Sequence, residues 1–222
     1  MPRDFFHGAG DLATQVDWWR EPVWDLESGR LWAEVLTLRP RDGTAPEAWW
    51  AQQVAAGRGD DAARFLEGGL YLWPSANAVY LPLHPSIGPS AALLEEPPDL
   101  FPLRPPRTLW TPDATPGLQR WSPALAAERI ALQGDPPTTA VWWLNLRELA
   151  ALPDPAATTA LTHWMQEALT RHARLIVEGA VGVHQMRRLH EWGVFGWHHP
   201  GGGRPARDGD DSPFVRPLEA SV

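Results

Sequence analysis

The chain has no cysteine, and all 19 of its basic residues are arginine, so it has no lysine either. The first absence excludes a thiolate nucleophile, a thiolate zinc site and a disulfide. The second excludes a Schiff base and a lysine-held catalytic water. No apolar run of 18 residues occurs, and the opening MPRDFFHGAG shows neither the basic start and apolar stretch of a leader nor a cleavage site. These gaps predict a cytoplasmic protein with no membrane insertion. Clustered positive charge is also missing: the arginines are scattered through a chain of net charge −8, which would repel a phosphate backbone and argues against nucleic acid as a partner. No 20–50-residue unit repeats.

What is present suits a single globular domain. The 222 residues, 44% hydrophobic and 21% charged, suffice for one sizeable core. From Pro22 onward, short β-branched or aromatic runs alternate with stretches of helical spacing, the pattern of βα units around a parallel sheet. Strands are expected at 22–26, 31–39, 78–83, 107–111, 128–132, 140–146, 174–178 and 193–197, and eight short strands fit a barrel. Helices are expected over 46–57, over 60–72 with Ala63, Leu66 and Leu70 inward, and over 156–172 with Leu161, Trp164, Met165, Ala168 and Leu169 inward. A further helix after Glu178 would bury Val183, Met186, Leu189 and Trp192 and stop at Gly193.

Prolines 97, 98, 102, 105 and 106 predict an irregular connection over 96–106, and the stretch after GGG at 201–203 has the composition of a mobile tail. The expected organisation is an N-terminal extension (1–19), a barrel domain (20–205) and a flexible tail (206–222). Fourteen tryptophans against two tyrosines are read mainly as core filling, with Trp18 and Trp19, outside the βα pattern, as the candidate exposed patch.

Two stretches carry a resemblance. EPVWDLESGRLWAEVLTLR (21–39) resembles the opening "QPIVDL.TGR" and "GAEALLRW" of EAL domains, the bacterial phosphodiesterases that linearise cyclic di-GMP, with Glu34-Val35-Leu36 at the signature triplet. VEGAVGVHQMRRLHEWGVFGWHHPGGGRP (177–205) is similar to the family's closing pattern "AEGVET..Q...L..LG....QGY..GRP", with Glu178-Gly179, Gln185, Leu189, Gly193-Val194 and Gly203-Arg204-Pro205 in register. The resemblance implies an α/β fold, a TIM-like (β/α) barrel of the EAL type. The stretch 133–145 is shorter than the family's spacing, so the barrel is expected to be shortened and irregular around 133–141, which puts the family's manner of dimerisation in doubt.

The resemblance also implies a chemistry, hydrolysis assisted by two divalent cations held by carboxylates and an Asn, with a Lys orienting the water. This chain departs from it widely. Glu34 and Glu178 stand at metal-ligand positions, but the implied Asn is Pro82, a Glu is Thr111, and the paired Asp are Gln133 and Gly134, with Asp135 one place late. The implied Lys is Asn145, an Asp is Arg147, the second Glu of "EGVE" is Val181, and the late Gln is His198. The Arg that grips substrate phosphate is Leu38, with Arg39 one residue off. No catalytic residue and no cofactor are therefore expected. Arg147, sharing a strand face with Asn145, is expected to pair with Glu34 or Glu178 in place of a cation.

The sequence thus favours a pseudoenzyme, an EAL-like barrel acting as a signalling or regulatory module through an unidentified protein partner. Three alternatives stand beside it. One is a receptor that binds cyclic di-GMP without cutting it. Another is a rewired hydrolase with Glu34, Glu178, His84 and His198 around zinc, a donor set that suits Zn²⁺ better than Mg²⁺. The last is an unrelated α/β domain.

Overall fold

The computed structural model describes residues 11–72, 77–82, 107–110, 127–179 and 181–205. Helix α1 (Leu12–Gln15) leads into a long hairpin, β1 (Val16–Asp25) and β2 (Leu31–Pro40), followed by α2 (Pro46–Ala55) and α3 (Gly59–Leu72). Then come β3 (Ala78–Pro82), β4 (Arg107–Trp110), β5 (Ala127–Arg129), β6 (Val141–Asn145), α4 (Leu146–Ala150), α5 (Asp154–Thr170), β7 (Arg174–Glu178), α6 (Val183–Glu191), β8 (Gly196–His198) and β9 (Arg204–Pro205). All eight expected strands form, and β9 is an addition.

The strands make one sheet in the order β4-β3-β2-β1-β8-β7-β6-β5, with β9 hydrogen-bonded to β1. Strand β1 runs antiparallel to both β2 and β8, whereas the β2-β3-β4 and β5-β6-β7-β8 ladders are parallel. The sheet curls. Tyr80 on β3 and Trp143 on β6 have four strands between them in that order, yet their rings meet edge to face at 5.5 Å. They belong to an inner cluster with Val23, Ala33, Val35, Ala78, Ala127, Val141 and Ile176. This is a TIM-like α/β barrel, and among the described residues no ladder joins β4 to β5. It is shortened where the sequence predicts: residues 130–140, between β5 and β6, carry turns and bends but no helix.

Strand alternation sorts the side chains between this interior and two outer layers. On the hairpin, Trp18, Leu36 and Leu38 face outward against Trp49 and Trp50 of α2 and Ala62, Phe65 and Leu66 of α3. On the other wall, Trp142, Leu144, Leu175 and Val177 face outward against Leu149, Leu161, Trp164, Met186 and Leu189 of α4, α5 and α6. Fully burying a residue of this size stabilises the fold by roughly 1.5–3 kcal/mol. Helix α2 starts with Pro46 in its first turn after an extended Ala45, and α6 is stopped by Gly193, whose φ of 84° a side chain would disfavour.

Several expectations are corrected. Trp18 and Trp19 lie within β1, which begins at Val16, inside the stretch assigned to the extension. Trp18 is buried against Phe65, with ring centroids 4.8 Å apart, so the pair is no exposed patch. Leu169 is 78% exposed, because at about 100° per residue it lies roughly a quarter-turn or more from the stripe of Leu161, Trp164 and Ala168. Trp192 is 48% exposed, since α6 ends at Glu191 before the chain turns inward. The side chains of Leu70 and Val183, the 96–106 connection and the tail lie outside the described residues. Among the described residues no helix is long and apolar enough to cross a membrane.

Candidate functional site: a charged chain across the barrel mouth

The carboxyl ends of the parallel strands and the neighbouring part of β1 bring five ionisable side chains into one line. Glu178 ends β7, His198 ends β8 directly beside it, Arg129 ends β5, Arg39 is near the end of β2, and Glu21 comes from β1. All share the inner face, because each is an even number of residues from an inward core position: Ile176, Gly196, Ala127, Val35 and Val23.

The line reads Arg39–Glu21–His198–Glu178–Arg129. Arg39 Nη2 donates to Glu21 Oε1 at 2.5 Å, and His198 Nε2 lies 3.1 Å from Glu21 Oε2. On the far side His198 Nδ1 lies 3.3 Å from Glu178 Oε2, and Arg129 Nη2 donates to Glu178 Oε1 at 2.9 Å. The backbone N–H of Gly201 donates to Glu21 Oε1 at 3.0 Å, and the Trp143 ring lies edge to face with the imidazole at 5.2 Å. Arg39 also lies 3.7 Å over the Trp19 ring, a cation–π contact at the rim.

His198 is buried with an ionised carboxylate at each ring nitrogen, and such carboxylates only accept. Satisfying both therefore requires the imidazolium. Burial opposes that charge, but the hydrogen bonds to Glu178 and Glu21 and their negative charges outweigh it, so the imidazole pKa is raised. Burial likewise opposes the charge on Glu21, where bonds from His198, Arg39 and Gly201 prevail and lower its pKa. Glu178 is lowered in the same way, by its bond to His198 and the nearby Arg129 charge against burial. Two carboxylates face two guanidiniums and one imidazolium, so the site holds its own countercharge.

The sequence-predicted positions distribute as follows. Glu178 and His198 are brought together. Glu34 is not with them: Ala33 and Val35 face inward, so Glu34 faces outward with Leu36 and Leu38, buried and bonded by Arg20 Nη2 at 2.6 Å. The inward residues of β2 are therefore Val35, Thr37 and Arg39. Leu38, expected at the place of the phosphate-gripping Arg, faces outward, whereas Arg39 faces inward. A one-residue slip exchanges every side chain between faces.

The expected pairing of Arg147 is also corrected. Strand β6 ends at Asn145, whose side-chain oxygen accepts from the Arg147 N–H at 2.9 Å and caps α4, so Arg147 stands exposed on a helix. Arg129 and Arg20 take the two pairings proposed for it. Gln133 and Gly134 lie in an exposed turn, and Val181 packs on the outer cluster. His84 and Thr111 lie outside the described residues, as does the side chain of Pro82.

Sequence reasoning missed Glu21, Arg20 and Arg129. Glu21 stands where the resembled pattern "QPIVDL" has its Gln, and it immediately precedes the strand expected at 22–26. Alternation outward from Ala127 would have found Arg129.

Two divalent cations do not fit this arrangement. Glu21 and Glu178 are already spent on His198 and on one arginine each, and Glu34 is on the opposite face. Among the described residues no group of three or more His, Asp or Glu converges as a metal site. The zinc alternative placed Glu34 beside Glu178, and the two lie on opposite faces; its His84 lies outside the described residues.

No family profile and no curated protein sequence matches this chain. Solved structures do. The FimX EAL domain from Pseudomonas aeruginosa, bound to cyclic di-GMP, is similar at 17% identity and a TM-score of 0.61, covering 94% of this chain and 98% of that one. The Xanthomonas citri FimX EAL domain, also in complex with cyclic di-GMP, matches at 14% identity and a TM-score of 0.61, with 91% and 93% covered. The EAL-like domain protein YdiV matches at 15% identity and a TM-score of 0.56, with 86% and 92% covered. The barrel, its antiparallel first strand and its shortened β5–β6 connection are together an EAL-type fold.

Proposed function

We propose that this chain is a catalytically silent EAL-type domain that acts as a regulatory module in cyclic di-GMP signalling, working through contact with a protein partner. The observation that carries this reading is the charged chain itself. Where metal-assisted hydrolysis needs carboxylate oxygens free to coordinate cations, both carboxylates of this cluster are held by three cationic side chains. The inward positions of β2 before Arg39 are Ala33, Val35 and Thr37, which supply no carboxylate, and the chain has no lysine to orient a water.

A receptor reading has one observation in its favour: Arg39 reaches the inner mouth of a fold whose solved examples include complexes with cyclic di-GMP. Its pairing with Glu21 counts against an open site. The test is incubation of purified protein with cyclic di-GMP and Mg²⁺ or Mn²⁺. The expected result is no linear product above a protein-free control, and turnover abolished by Glu178→Ala would sink the reading.

A further inference from the structure

We infer that Glu21 is an internal ligand, its carboxylate occupying the place at Arg39 where a phosphate or phosphodiester anion would bind, so that the chain closes its own mouth to such ligands. This deepens, and rests on, the reading of the mouth as a non-hydrolysing EAL-type site.

A guanidinium offers five donors in a planar fork that matches a phosphate as well as a carboxylate. Arg39 is held on both sides, by Glu21 at 2.5 Å and by the face of Trp19 at 3.7 Å, yet its side chain remains 24% exposed and reaches solvent at the rim. A guanidinium stacked on an indole and open to water is a prepared anion acceptor.

Glu21 is well placed to compete for it. Its side chain is 6% exposed and fixed by His198 Nε2 and the Gly201 N–H as well as by Arg39. A carboxylate anchored in this way loses little further freedom when it binds the guanidinium, whereas an external anion must bear the full cost of association. Displacement would also strip a buried carboxylate of one partner. The pattern that this stretch resembles carries a neutral Gln at this position; the acid here adds the charge that makes the contact an ion pair.

Calorimetric titrations with cyclic di-GMP and with inorganic pyrophosphate test this on the wild-type protein, Glu21→Gln, Glu21→Asp and the double variant Glu21→Gln/Arg39→Met. Glu21→Gln keeps the shape and removes the charge; Glu21→Asp keeps the charge for His198 but draws it back from Arg39. Both single variants are expected to bind at least one probe roughly ten- to a hundredfold more tightly than wild type, as the release of a charged hydrogen bond predicts. The double variant is expected to lose the gain. Folded single variants with no gain, or a double variant that keeps it, would overturn the inference.

A measurement on the unmodified protein stands independently. The Arg39 Nε–H resonance is expected to be unmoved by either probe at millimolar concentration, and a saturating shift there would overturn the inference. Failure here is distinct from failure of the functional reading, which turns on wild-type turnover alone.

Discussion

The two walls of the barrel mouth bury glutamates to opposite ends. On β7, Glu178 faces the interior and joins a chain of five ionisable groups; on β2, Glu34 faces outward and meets the single guanidinium of Arg20. Both are less than a tenth exposed. The difference lies in how many charges depend on each. Removing Glu178 takes a partner from both His198 and Arg129, whereas removing Glu34 takes one from Arg20 alone. Buried charge is tolerated by mutual satisfaction, so the cost of a deletion grows with the number of charged groups that lose a contact.

That comparison yields the largest expected effect. Glu178→Ala should cost about 3 kcal/mol or more by urea unfolding, in the range seen when one member of a buried ionic network is removed. Glu34→Ala should cost about 1–2 kcal/mol, the scale of one charged hydrogen bond. Equal losses would break the distinction between the walls.

A second contrast concerns β9, which lies along the hairpin wall. A Cβ at Gly203 would stand 2.2 Å from the Arg20 carbonyl oxygen and 2.7 Å from Glu21 Cγ. The first neighbour is backbone and cannot step aside, so Gly203→Ala should displace β9 from β1 and cost roughly 1–3 kcal/mol. Because Gly201 binds Glu21 two residues earlier, hydrogen exchange in this variant should rise at Gly201 and along Trp19–Arg20. Unchanged protection there would mean that β9 does not secure the mouth.

The network wall should also be the pH-sensitive one. His198 is raised from its ordinary 6.5, so its contribution is complete below about pH 6.5 and is lost as pH rises through the folded value. Glu21 and Glu178 are lowered from 4.5, so theirs is present above about pH 4.5 and is lost as pH falls through their folded values. Stability should therefore peak between about pH 4.5 and 6.5. His198→Gln should flatten the alkaline side of the thermal-unfolding profile, and Glu34→Gln should leave it intact. A His198→Gln profile as steep as wild type would locate the alkaline sensitivity elsewhere.

The barrel was largely legible in the sequence because strand periodicity and turn chemistry are local. The runs AVWWLNL and RLIVE found their strands, and Gly193 marked its helix end. The site was less legible, and the reasons are geometric. On β2, apolar residues fill both faces, since Ala33 and Val35 look inward while Leu36 and Leu38 look outward. Hydrophobicity therefore carried no signal of facing, and the motif match placed Glu34 on an inner side that it does not occupy. On β7 and β8 the inner polar residues end their strands, so Glu178 and His198 needed no choice of register. Glu21 escaped notice because β1 is longer than its apolar run, its earlier part being held by pairing with β2 and β9.

The smallest expected effect isolates this point. Arg147 continues the alternation of β6 on paper, two residues beyond Asn145, and would face Glu178 if the strand went on. Asn145 ends the strand by capping α4, a short-range hydrogen bond that overrides alternation and turns Arg147 to solvent. Arg147→Ala should therefore change stability by no more than about 0.5 kcal/mol, the ordinary scale for an exposed position. Arg129→Ala, which removes the guanidinium that does reach Glu178, should cost about 1–2 kcal/mol. Asn145→Leu sharpens the contrast: without the cap the first turn of α4 should fray, and Arg147 would gain freedom to approach the inner face. A larger loss for Arg147→Ala in that background than in wild type would identify the cap as the element that decides which arginine neutralises the mouth.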